Sequence, residues 1–339
     1  MNQTFVDLVR GAIAFVPMSA FLVGLIYLDS YKLVVAKRIA LTILAGCGVA
    51  LVAFVCNSAL LEVFHLNRES VVRYAAPFVE ESLKAAVPWV LIRRNYVGFM
   101  VDAAIYGFAV GAGFALAENI YYLRELQDAS TAVWLVRGFG TAILHGGTTA
   151  IFAVMAKNFS EIRSVTSLRV AVPGFLTAVV VHSAFNHFFL APVVSSLVVF
   201  AAFPALLTLV FSQSEKATRA WLGVGFDADA EILSTIISGN ISQTKVGMYL
   251  TALQERFPPE VVVDLLCYLR IYLELAIQAK GILMLRESGF DVPPDPDINA
   301  KLEELKFLER SIGKTGQLAM APFVRKASRE LWQLQTLQQ

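Results

Sequence analysis

The chain has 339 residues, 57% of them hydrophobic and only 16% charged, with a formal net charge of +1. Soluble globular domains carry about 25% charged residues, so an ordinary soluble fold is excluded for most of the length, and the balanced charge points to no nucleic-acid partner. Cys47, Cys56 and Cys267 show no paired spacing, which supports neither a disulfide framework nor a thiolate zinc site.

The opening residues, MNQTFVDLVR, carry one basic residue and lead into an apolar run without a small-residue cleavage site. They read as the start of a first span, not as a removable signal peptide. A span needs roughly 20 mostly apolar residues to cross about 30 Å of hydrocarbon. Segments 11–29, 39–61, 71–92, 98–123, 131–156, 170–190 and 193–212 meet that demand. The third and fourth contain Glu80, Glu81, Lys84, Asp102 and Glu118 and score weakly on hydropathy, but their flanks are strongly apolar. Ala191 and Pro192 separate the last two, where proline's missing N–H favours a break.

Basic residues in short loops set orientation. Lys32, Lys37 and Arg38 follow the first span, Arg93 and Arg94 the third, and Lys157, Arg163 and Arg169 the fifth, while the intervening loops are poorer. The alternation predicts an N-terminus outside and everything after 212 in the cytoplasm. From 213 the composition shifts: 243–256 and 260–286 read as helices, the second interrupted by Asp264, Arg270, Glu274 and Lys280 and therefore a packed soluble helix. A linker over 288–297 precedes helical patterns at 298–312 and 322–337. The expected fold is all-α: a polytopic transmembrane bundle of about seven spans (1–212), followed by a cytoplasmic helical domain (213–339).

Ionisable groups within a span cost several kcal/mol, so each needs a partner or a purpose. Four clusters lie on four successive spans. In PFVEESLKA, Glu80 and Lys84 have the i, i+4 spacing of a pair, and Glu81 points about 100° away without a local partner. In DAAIYGFAVGAGFALAEN, Gly107 and Gly111 form a small-xxx-small pair for close helix packing, and Glu118 lies near the interfacial Tyr121 and Tyr122. HGGTT sets His145 one turn before Thr149, and HSAFN sets His182 one turn before Asn186. His187 faces elsewhere and His65 lies in a loop.

Two imidazoles with one or two carboxylates can hold Zn²⁺ with a position open for water, a spare carboxylate acting as base. Without metal, a glutamate and a histidine can deprotonate water directly. Asn186 and Thr149 can donate to a developing oxyanion. Either scheme gives amide hydrolysis in a wet pocket within the bilayer. HExxH, GxGD and serine-nucleophile motifs do not occur.

EExxK at 80–84, DAxxYGxxxGxGFAxxEN at 102–119, HxxxT at 145–149 and HxxxN at 182–186 resemble the PrsW family, within the wider group of CAAX-processing and bacteriocin-immunity-type intramembrane proteases. The resemblance spans roughly residues 75–190. It implies an endopeptidase of a bacterial cytoplasmic membrane that cuts a membrane-anchored protein, such as an anti-sigma factor, near its outer side. Carried over by position, Glu80 and Glu81 are the paired glutamates, with Glu81 as base. Glu118, His145 and His182 complete the centre as the lining of a water or metal site, and Asn186 supports it. Zinc is the expected metal if one is used, and no other cofactor is implied. A transporter or proton relay built on the same buried Glu and His residues is the main alternative. A haem carrier with His145 and His182 as axial ligands and a catalytically silent relative are the others.

Overall fold

The computed structural model describes residues 3–163, 165–290, 292–293, 295–324, 329, 332–334 and 337. Their regular structure is entirely helical, with no strand among them. Two compact units divide the chain, Met1–Glu215 and Lys216–Gln339.

In the first unit the long helices are α1 (Gln3–Tyr27), α2 (Ala36–Glu62), α3 (Ala76–Arg93), α4 (Met100–Glu125), α5 (Ala142–Ile162), α6 (Leu168–Asn186) and α7 (Pro192–Ile237), the last continuing into the second unit. Two of them are entered through π-helical turns. Arg68–Ser70 and the π turn Val71–Ala75 run into α3, while Thr131–Leu135 and the π turn Val136–Thr141 run into α5. Six described helices are long and apolar enough to cross a membrane. The stretch expected as a third span forms α3, yet its charges keep it out of that set. The chain is an integral membrane protein with an all-α polytopic bundle.

α4 is the hub of this unit. Of its spanning window 83% is buried, against 22% for α2 and 33% for α6, so its neighbours and not lipid surround it. Small residues make this possible. A Cβ on Gly107 would stand 2.8 Å from the Thr149 carbonyl oxygen, and one on Gly113 would stand 2.0 Å from that of Ile43. The first contact draws α5 against α4 and the second draws α2 against it, as small-xxx-small packing does where no hydrophobic force separates helix from lipid. α3 packs against α2, α4, α5 and α6, so its charged face is enclosed.

α7 does not stop at 212, where the composition shifts, but runs on to Ile237. No proline lies between Pro204 and Ile237, Glu215, Lys216 and Arg219 are good helix formers, and the break comes only at Gly239 with φ +75°.

The second unit holds α8 (Lys245–Leu253), α9 (Pro259–Glu287), α10 (Ile298–Ser311) and α11 (Gly313–Met320). α9 starts on a proline, whose missing N–H costs nothing at a first-turn position. Leu265, Leu269, Leu273 and Ala276 line its buried face and pack on Leu302, Leu305 and Leu308 of α10. Arg270 and Lys301 both reach its Glu274, and its Lys280 bonds Asp229. Burial pushes the Glu274 carboxyl up, but the hydrogen bonds from Arg270 and Lys301 outweigh it and hold the group below its ordinary value. Asp291 and Pro294 of the linker lie outside the described residues, as does half of the helical pattern expected over 322–337.

Candidate active site

α3 delivers two carboxylates and an ammonium to the interior. Lys84 is fully buried and Glu81 is 1% exposed. Lys84 Nζ lies 2.6 Å from Glu81 Oε1, an i, i+3 pair. The i, i+4 pairing with Glu80 expected from spacing is not formed. Both spacings share a helix face, and the deeper carboxylate takes the ammonium because a buried charge without a partner is the costlier arrangement.

Glu81 Oε1 gathers two further donors. His182 Nδ1 on α6 stands 2.8 Å away and Thr148 Oγ1 on α5 stands 3.0 Å away. Thr148 has one hydroxyl hydrogen, and the Leu144 and His145 carbonyl oxygens, at 3.0 and 3.3 Å, compete for it. The carboxylate fixes the His182 tautomer: Nδ1 carries the proton and Nε2 keeps its lone pair, 3.8 Å from Glu80 Oε2.

Both nitrogens of His145 are engaged. Lys84 Nζ is 3.1 Å from Nδ1, and an ammonium can only donate, so Nδ1 accepts. Nε2 then donates to Glu118 Oε2 at 3.0 Å. Glu118 also faces Arg137 at 3.3 Å. Arg137, set in the π turn before α5, donates through Nε to Asn119 Oδ1 at 3.0 Å and covers the Tyr122 ring at 3.8 Å. On the other flank Asn57 of α2 donates from Nδ2 to Glu80 Oε1 at 3.0 Å.

Glu80, Glu81, Glu118, His145 and His182 thus form one connected network, drawn from four helices. Glu80, His145 and His182 each offer a ligand atom, all within 4.8 Å of one another. Glu80 stands here where the resemblance put Glu118. The Glu118 carboxylate is turned instead to His145 and to the Arg137 guanidinium, which attracts it. A metal on His145 would replace either the Lys84 or the Glu118 contact, since each holds one ring nitrogen.

The two side chains expected to serve an oxyanion are spent elsewhere. Asn186 donates to the Val72 carbonyl oxygen at 2.9 Å, and Thr149 bonds the His145 carbonyl oxygen at 2.9 Å within its own helix. Ser183 joins Asn186 by donating to the Arg73 carbonyl oxygen at 2.5 Å. Both acceptors lie in the π turn before α3, where the wider helical register frees carbonyls from their usual partners. Asp102 caps its own helix, accepting from Gly98 N and Phe99 N at 2.6 and 2.8 Å.

Asn57, Thr148 and Arg137 escaped the sequence reading. Asn57 and Arg137 each carried a signal, being polar residues within otherwise apolar spans. Thr148 did not, because either threonine of HGGTT can face inward until the helix rotation is known.

No curated protein and no solved structure matches the chain significantly. A family model does: that of the PrsW family intramembrane metalloproteases, over residues 36–211, more than half of the chain and every helix that feeds the network. The chain therefore belongs to the PrsW family, as an intramembrane peptidase acting on membrane-embedded proteins.

Proposed function

We propose that Glu80, His145 and His182 hold a divalent metal, that zinc is that metal, and that Glu81 is the general base for hydrolysis of a peptide bond in a membrane-anchored protein. The supporting observation is the convergence of those three donors within 4.8 Å, directly beside Glu81. The donor set suits zinc: two imidazoles and a carboxylate form a three-ligand set that leaves a position open. Second contacts of the kind that orient metal ligands are present as well. His182 leans on Glu81 and Glu80 on Asn57. A zinc ion held there supplies Lewis-acid polarisation of a carbonyl and acidifies water.

The chain's own groups carry the protons. The three donors to Glu81 all fall on Oε1, which leaves Oε2 to take a proton from the attacking water. The resulting hydroxide adds to the peptide carbonyl, the C–N bond breaks, and Oε2 returns the proton to the departing nitrogen. Lys84 and Thr148 hold the carboxylate in place through this cycle. Asn186 and Ser183 act earlier, as positioning residues that clamp α6 to the π turn and so fix His182 against Glu81.

The orientation we assign puts the N-terminus outside and Lys216–Gln339 in the cytoplasm of a bacterial membrane. Only if α3 crosses the bilayer do the basic loops after α1, α3 and α5 fall on one side. The network then lies in the outer half, near the ends of α2, α4 and α6 that the outer loops join. Treating the detergent-purified protein with a chelator should abolish cleavage of a single-span peptide, and zinc should restore it. Full activity in protein freed of metal would rule the metal out.

A further inference from the structure

Asn57 has no place in the chemistry above beyond touching Glu80, yet its geometry is asymmetric. Nδ2 is committed to Glu80 Oε1. Oδ1 is buried, and no group among the described residues donates to it. Asn57 sits in α2, the most apolar of the qualifying spans, with mean hydropathy 2.6. An acceptor left without a donor in such surroundings is costly and calls for a ligand that brings an N–H.

A membrane-embedded substrate brings such donors. In helical form each of its backbone N–H groups is bonded internally, as the bilayer requires. The carbonyl of a peptide bond becomes open to attack only where that helix is locally unwound, and unwinding releases N–H groups that find no water. They need acceptors beside the reacting bond. Several neighbouring acceptors are already engaged: Glu81 Oε1 by three donors, Glu118 Oε2 by His145 and Arg137, and Glu80 Oε1 by Asn57 itself, while the proposed chemistry commits Glu81 Oε2 to the proton and Glu80 to the metal. An amide oxygen is also chemically suited, because it accepts a hydrogen bond without taking the proton. Phe54, one turn earlier on α2, is 50% exposed, and its ring meets that of Tyr121 of α4, 41% exposed, with centroids 5.1 Å apart. This ring pair, partly exposed, covers the seam between α2 and α4 one turn from Asn57, so a substrate segment would reach the amide by displacing it.

We propose that Asn57 is a substrate-positioning residue: its amide nitrogen holds Glu80, and its free carbonyl oxygen accepts a backbone N–H from the unwound segment of the substrate. This rests on the reading of Glu80, Glu81, His145 and His182 as the catalytic centre.

The test uses the full-length protein in detergent and a synthetic single-span peptide that the wild type cuts. Single backbone amides flanking the scissile bond are replaced in turn by esters, each deleting one N–H. With wild type, one ester position should lower kcat/KM by about 10-fold, the value of one hydrogen bond, mainly through KM. With Asn57→Leu the all-amide peptide should already show that loss, and the same ester should add nothing further. Asn57→Asp, which keeps an acceptor at the same place, should remain sensitive to the ester. If Asn57→Leu folds poorly, Asn57→Ala supplies the same comparison. An ester profile identical in wild type and the leucine or alanine variant would overturn the proposal. Glu81→Gln is run alongside: its loss of cleavage keeps the centre, whereas cleavage at the wild-type rate would show the centre misassigned and sink the proposal with it.

Discussion

A Cβ on Gly111 would stand 2.1 Å from the carbonyl oxygen of His145. The backbone bearing a proposed metal ligand is thus seated directly on a glycine of the hub helix, and the position of His145 depends on that residue having no side chain. Gly111→Ala must push α4 and α5 apart. Overpacking of this kind costs about 1–3 kcal/mol, so the variant should melt earlier and bind zinc more weakly. Gly48→Ala is the control, because nothing lies within 4 Å of its Cβ. It should leave stability equal or slightly raised, since alanine is the better helix former. Thermal unfolding in detergent compares the two.

Removing Lys84 should be worse than removing its partner as well. Lys84→Met leaves the Glu81 carboxylate buried without its ammonium, and breaking one side of a buried pair costs about 3–5 kcal/mol. Lys84→Met combined with Glu81→Gln removes both charges and should recover much of that loss, although it cannot restore cleavage. Equal melting temperatures for the single and double variants would show that the pair is not the stabilising unit.

Asn186 distinguishes a clamp from an oxyanion donor. As a clamp on the Val72 carbonyl, its loss in Asn186→Ala should cost about 1 kcal/mol of stability and a modest part of activity. Loss of an oxyanion donor would lower kcat by about 10²–10³ with stability nearly unchanged. Ser183→Ala, acting on the neighbouring Arg73 carbonyl, should resemble Asn186→Ala in the first case and differ from it in the second.

The second unit should lose local stability in acid through Glu274. Its folded pKa lies below the unfolded value, so its contribution is complete above the unfolded pKa of about 4.3 and disappears as pH falls through the folded one. The protection of the α9 amides, taken relative to their intrinsic exchange rate at each pH, should therefore fall as pH drops through that range in wild type, with the change blunted in Glu274→Gln.

The bundle was legible in the sequence because hydropathy and length decide which segments cross a bilayer, and the four polar clusters stood out because charge in a span is expensive. Pairing was less legible. Spacing alone could not choose between Glu80 and Glu81 as the partner of Lys84, since i+3 and i+4 share a face; burial makes that choice. Nor could it foresee that π turns would expose carbonyls at Val72 and Arg73 and draw in Ser183 and Asn186. The proposal of Glu80 in place of Glu118 as the third donor rests on Glu80's approach to His145 and His182 and on Arg137, brought to Glu118 by the turn of a different helix. Such contacts arise from the rotation of each helix about its axis, which small residues such as Gly107 and Gly113 set through tertiary packing.

The most direct test of the proposed centre is zinc per chain, measured together with cleavage of a single-span peptide, across five proteins: wild type, Glu80→Gln, His145→Ala, His182→Ala and Glu81→Gln. The account predicts near one zinc in wild type and in Glu81→Gln, little in the other three, and cleavage by wild type alone. Zinc retained by Glu80→Gln and both histidine variants, or cleavage by Glu81→Gln at the wild-type rate, would contradict it.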